Sequence, residues 1–191
     1  MARESGYGSM QTTHRHVVAD LAAVLRKAGY YQVDKEVAEA GAAGHGQGGG
    51  SGLRMDLMYT DADGARHAID FTAFGVERYG AQHLTQAAAR RRSQKRNKYE
   101  QWLNEKMGVP PANFHVVCMD TLGRLDEDSV TFLRHVCATA PLPHEVVPAH
   151  LFASLSARAL RATATALRLT RSIPLGSAPA LPLVHCTRIV R

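Results

Sequence analysis

Two aspartates separated by thirteen residues, Asp56 and Asp70, are the pair in this chain most able to do chemistry together. They lie within LRMDLMYTDADGARHAIDFTA, residues 53–73, where two β-prone runs flank the turn sequence Asp61-Ala62-Asp63-Gly64. A hairpin centred on Asp63 sets Asp56 opposite Asp70, and Arg54 opposite Thr72. Side-chain alternation then gathers Leu53, Met55, Leu57 and Tyr59 with His67, Ile69, Phe71 and Ala73 on an apolar face. Arg54, Asp56, Asp70 and Thr72 share the other face. Carboxylates directly opposite on neighbouring strands repel each other. A divalent cation with oxygen ligands would offset that repulsion. The plainer alternative leaves both as solvated strand charges, one of them paired with Arg54.

A third group comes from a helical stretch expected over residues 81–107. With Lys95 at the origin of a helical wheel, Leu84, Tyr99 and Trp102 fall within about 40° of it. Lys95 therefore sits on the aromatic stripe that should face the sheet, where a lysine needs to snorkel out or meet a charge partner. Lys98 lies at the edge of that stripe, and Arg90, Arg92 and Arg96 point elsewhere. The ten histidines show no zinc-ligand spacing and are assigned no metal role, and Ser93 and Ser129 have no nucleophile context.

The elements that would position these groups follow from pattern. Apolar residues Val17, Val18, Leu21, Val24, Leu25 and Ala28 recur at helical spacing after a lead, residues 1–10, expected to be disordered. Tyr30–Val37 reads as a strand, and residues 41–52, with seven glycines in twelve positions, as a flexible loop. After the hairpin and the long helix, Pro110-Pro111 makes a stop. Residues 114–123 then read as a buried strand and turn, and a helix capped by Asp128 or Ser129 runs to Val136. The order α-β-β-β-α-β-α describes an α/β fold, a central mixed sheet flanked by helices, over residues 11–140.

Composition bounds the rest. The 191 residues are 45% hydrophobic, enough for one domain with a core. No run is apolar enough to span a bilayer, and MARESGYGSMQTTH has no signal-peptide core. Cys118, Cys137 and Cys186 fit neither a zinc site nor a disulfide framework, which favours a reducing, intracellular setting. The formal net charge of +6 equals the six arginines of residues 146–191, a segment with no lysine and no acidic residue. Residues 1–145 are thus formally neutral, apart from one basic run, Arg90, Arg91, Arg92, Lys95, Arg96 and Lys98. Residues 141–191 are expected to form a basic tail, with one helix at 149–171, dispensable for folding.

The arrangement resembles the PD-(D/E)XK nuclease superfamily, and more closely the restriction-like endonuclease domain of site-specific non-LTR retrotransposons. That domain carries Arg/Lys-Pro-Asp, twelve to fourteen residues, an acidic residue commonly in Asp-x-Thr, and then a helix with a Lys-x-x-Lys-Tyr-like segment. Here Arg54-Met55-Asp56 is followed by thirteen residues and Asp70-Phe71-Thr72, and Lys95, Lys98 and Tyr99 supply the helical segment. The strand and turn of residues 115–129 also look like the end of such a domain, so the likeness spans most of residues 14–136. Met55 stands where the pattern has proline. Thr72 stands where most of the superfamily has lysine, and the retrotransposon domains move that lysine to the helix.

The resemblance implies a restriction-endonuclease-like core and phosphodiester hydrolysis. Asp56 and Asp70 would hold Mg²⁺ or Mn²⁺, with Glu36 a further candidate ligand unless it is plain surface charge. Lys95, ranked ahead of Lys98, would assist electrostatically. Arg90, Arg91, Arg92 and Arg96 would grip the DNA backbone, unless they form only a solvated helix face. A retroelement origin implies other polyprotein segments as partners and, in a eukaryote, a nuclear location. Two alternatives stand beside this one: a nucleic-acid-binding relic of the same fold without catalysis, and an unrelated α/β interaction module with the aspartates on different faces.

Overall fold

The computed structural model describes residues 5–38, 53–75 and 84–171. The glycine-rich loop expected at 41–52 and the segment after Arg171 lie outside the described residues. Helix α1 (Ser5–Lys27) is followed by strands β1 (Tyr31–Ala38), β2 (Arg54–Thr60) and β3 (Arg66–Phe74). Helix α2 (Leu84–Met107), strand β4 (Phe114–Asp120), helix α3 (Glu127–Ala138) and helix α4 (Pro148–Arg171) complete the order. Residues 5–10 are thus helical rather than part of a disordered lead. The apolar spacing that begins near Thr13 marks where α1 becomes buried, not where it begins.

The four strands lie in the order β1-β2-β3-β4, antiparallel from β1 to β3, with β4 parallel to β3. The mixed sheet flanked by helices is therefore as expected. The hairpin turn forms where the sequence places it. Asp61 Oδ1 accepts hydrogen bonds from the amides of Asp63 and Ala65 at 3.0 and 2.8 Å, and Gly64 takes φ +81°. Pairing of Leu57 with Ile69 through Thr60 with Arg66 keeps the register centred on Asp63.

Each sheet face has its own core. Leu57, Tyr59, Ile69, Phe71, Val117 and Met119 pack with residues of α1, α3 and α4, whereas Met58, Ala68, Phe74, Phe114 and Cys118 pack with Ala88, Tyr99, Trp102 and Leu103 of α2. Met55 joins the α2 side, not the face of Leu57 that alternation predicts. Strand β2 departs from regular pleating beside Asp56.

Two further expectations change. The cap of α3 is Asp126, whose carboxylate accepts from the Ser129 amide and hydroxyl, so the helix starts earlier than a cap at Asp128 or Ser129 allows. The expected tail helix is α4, and it is more than an appendage. Leu151, Leu155 and Ala159 are buried in the same cluster as Val17, Leu21 and Leu25. Arg158 pairs with Asp20 of α1 at 2.8 Å. Gly123 (φ +81°) lets the turn after β4 meet α4, since a Cβ there would lie 2.8 Å from the Ser156 backbone. Among the described residues, no helix is long and apolar enough to cross a membrane.

Candidate active site

Asp70 sits on β3 on the side covered by α2, and its side chain is only 2% exposed. Lys95 reaches it from α2, its Nζ donating to Oδ1 at 2.8 Å. Oδ2 is buried and has no hydrogen-bond partner among the described residues. Burial first, then the charge of Asp56, push the Asp70 carboxyl up to about 6, against the pull of Lys95. Burial opposes the Lys95 ammonium too, but the Asp70 carboxylate outweighs it and raises its pKa. Lysine on an aromatic stripe is thereby explained: its charge ends on a buried carboxylate.

Asp56, on β2, is near enough for its charge to act on Asp70. In a regular ladder the Phe71 amide would bond to a β2 carbonyl; here it donates to Asp56 Oδ2 at 2.8 Å. The side chain thus takes the place of a backbone acceptor where β2 departs from its pleat. Imidazole Nε2 of His14, on α1, lies 3.0 Å from the same oxygen. A carboxylate oxygen only accepts, so Nε2 carries the proton in this pair. The hydrogen bond to Asp56 raises the His14 pKa, against its burial. His14 escapes a search for ligand spacing because its partner is 42 residues away. A signal exists nonetheless: His14 precedes Val17, Val18 and Leu21 by three, four and seven positions, on the buried stripe of α1.

The other expected residues divide. Tyr99 is buried, with Lys95 and Lys98 Nζ at 5.5 and 4.6 Å from its ring centroid. Lys98 donates to the Tyr99 hydroxyl at 3.0 Å rather than to either aspartate. Thr72 is half-buried, two residues from Asp70 on the same face of β3. Arg54 Nη1 pairs with Glu36 Oε2 at 3.2 Å, both largely exposed. Glu36, read from the sequence as surface charge or else a further ligand, is exposed: it holds φ +54° on a strand with a register shift, and its carboxylate pairs with Arg54.

The basic run of α2 is also not the uniform phosphate grip that the sequence suggests. Arg92 is spent internally on Asp126 and Asp128, clamping α2 to the start of α3. Arg96 donates to the carbonyls of Pro111 and Phe114. Arg90 is exposed, and Arg91 bonds Gln94 within its own helix.

Among the described residues, no group of three or more His, Cys, Asp or Glu is arranged to hold a metal ion. Two carboxylates do lie within electrostatic reach of each other, each with one oxygen engaged, Asp56 Oδ2 and Asp70 Oδ1, and one oxygen that no described hydrogen bond occupies. A bare buried carboxylate oxygen beside a second carboxylate suits a hard cation that keeps several waters, as Mg²⁺ does. Compared with known proteins, the chain matches no family model and no curated sequence.

Proposed function

We propose that the protein is a metal-dependent endonuclease that hydrolyses phosphodiester bonds in DNA. One juxtaposition carries this: Lys95 of α2 bonds Asp70 of β3 within reach of the Asp56 charge from β2, and Asp70 Oδ2 is buried with no hydrogen-bond partner among the described residues. Such burial is costly for a group that only packs, and is expected where chemistry is done. Asp56 and Asp70 would hold Mg²⁺ or Mn²⁺, which when bound acidifies a water and neutralises charge on the phosphate.

The chain's own groups account for the rest. Lys95, kept charged by Asp70, sets a positive charge beside the reacting phosphate, where negative charge grows in the transition state. The Phe71 amide and His14 fix one oxygen of Asp56. Arg90 and Lys98, exposed on α2, offer countercharge to the DNA backbone. The element order and the lysine donated from α2 support a restriction-endonuclease-like core of the kind in retrotransposon nuclease domains. That origin would bring nuclear DNA and other retroelement segments as partners. Lys95 reaching Asp70 favours this over a catalytically silent relic.

The test is nicking of supercoiled plasmid by the full chain with Mg²⁺ or Mn²⁺. Nicking that stops with chelator and returns with added metal is expected. No nicking with either metal would refute the proposal.

A further inference from the structure

We infer that His14 is a positioning residue for Asp56, turning that carboxylate so that its second oxygen is offered to the cation while His14 itself stays off the metal. The inference rests on the metal-binding reading above and names the group that orients the ligand.

Two donors converge on Asp56 Oδ2, the Phe71 amide at 2.8 Å and His14 Nε2 at 3.0 Å. They arrive from different elements, β3 and α1, and together fix the carboxylate more firmly than either does alone. An amide alone leaves the carboxyl plane free to turn about that bond, and the imidazole removes this freedom. With its proton on Nε2, bonded to Asp56, that nitrogen has no lone pair to offer a metal. The ring is held in turn. It packs tilted against Phe71, with centroids 5.6 Å apart, and its helix is anchored by Val17 and Val18 immediately beyond. The side chain that leans on Phe71 thus steadies the oxygen to which the Phe71 amide donates. Hydrogen-bonding partners of metal-bound groups matter in general, their loss costing about 10–100-fold in affinity.

His14→Gln retains an N–H donor at a similar reach, whereas His14→Ala retains none. The experiment measures Mn²⁺ binding to the full chain by electron paramagnetic resonance, for the wild type and both variants. The Phe71 amide resonance is followed by NMR in the same proteins without metal. Expected are a roughly 10–100-fold weaker Mn²⁺ affinity in His14→Ala, recovery of most of it in His14→Gln, and a Phe71 amide shift that moves in the first variant and returns in the second. Mn²⁺ bound equally by wild type and His14→Ala would overturn the inference. So would ¹⁴N couplings of a directly coordinated imidazole on the bound Mn²⁺ of the wild type, because His14 would then be a ligand. A wild-type chain that binds no Mn²⁺ would overturn the proposed function and this inference together, an outcome distinct from the other two.

Discussion

Leu155 is fully buried in the cluster where α4 packs with α1 and the sheet, so Leu155→Ala leaves a cavity with no solvent path to fill it. Deletions of this kind cost about 2–5 kcal/mol. Urea slopes of about 1–3 kcal/mol per molar turn a loss of 3 kcal/mol into a midpoint lower by roughly 1–3 M. In a chain of this size the melting temperature should fall by about 6–12 °C. Leu160, on the same helix but 50% exposed, is the control, and Leu160→Ala should stay within about 0.5 kcal/mol. Ending the chain at Ala140 removes Val146, Leu151, Leu155 and Ala159 together and uncovers their partners on α1. At about 1.5–3 kcal/mol for each large side chain, the loss of roughly 5–9 kcal/mol rivals the whole stability of an ordinary domain, about 5–15 kcal/mol. Urea unfolding followed by circular dichroism reads all three variants. A cooperative transition in the shortened chain at the full-length midpoint would refute the packing argument and return α4 to the status of a dispensable tail.

Burial, followed by the charge of His67, pulls the His115 pKa from 6.5 down to about 4, so folding favours the neutral ring. The corresponding stability is complete above pH 6.5 and lost as pH falls towards 4, at most about 3 kcal/mol. His115→Phe, which keeps the stack on Phe132, should flatten the fall in urea midpoint across that window, and an unchanged slope would contradict the burial argument. Arg92→Ala strands Asp126, 2% exposed, and should cost about 3 kcal/mol in urea unfolding. A loss below 0.5 kcal/mol would mean the Ser129 bonds alone satisfy Asp126. Lys95→Ala should slow plasmid nicking by about 10²–10³, whereas Lys98→Ala, whose amine meets Tyr99, should slow it less than tenfold. The reverse order would move the catalytic role to Lys98.

Local rules make the hairpin readable in the amino-acid sequence. The Asp61–Gly64 turn fixes the register, and a period of two carries it along both strands. Lys95 is legible because helical geometry places it among Leu84, Tyr99 and Trp102. What the sequence conceals depends on long-range partners. The kink that sends Met55 to the α2 side and turns Asp56 towards the Phe71 amide has no local signature, since no glycine or proline marks it. The role of His14 arises between α1 and a strand 42 residues later. Arg92 and Arg96 read as a basic surface because their acceptors, Asp126, Pro111 and Phe114, come from later segments. Alanine is the commonest residue of α4 and arginines are spread along it, which hides a stripe of Leu151, Leu155 and Ala159 at helical spacing.

Single-turnover plasmid nicking in Mn²⁺ tests the proposal that Asp56 and Asp70 together hold the metal of a nuclease. The wild type should nick, while Asp56→Ala and Asp70→Ala, shown to be folded by their urea transitions, should each lose all activity above background. Wild-type rates in either folded variant would contradict the assignment of these two carboxylates.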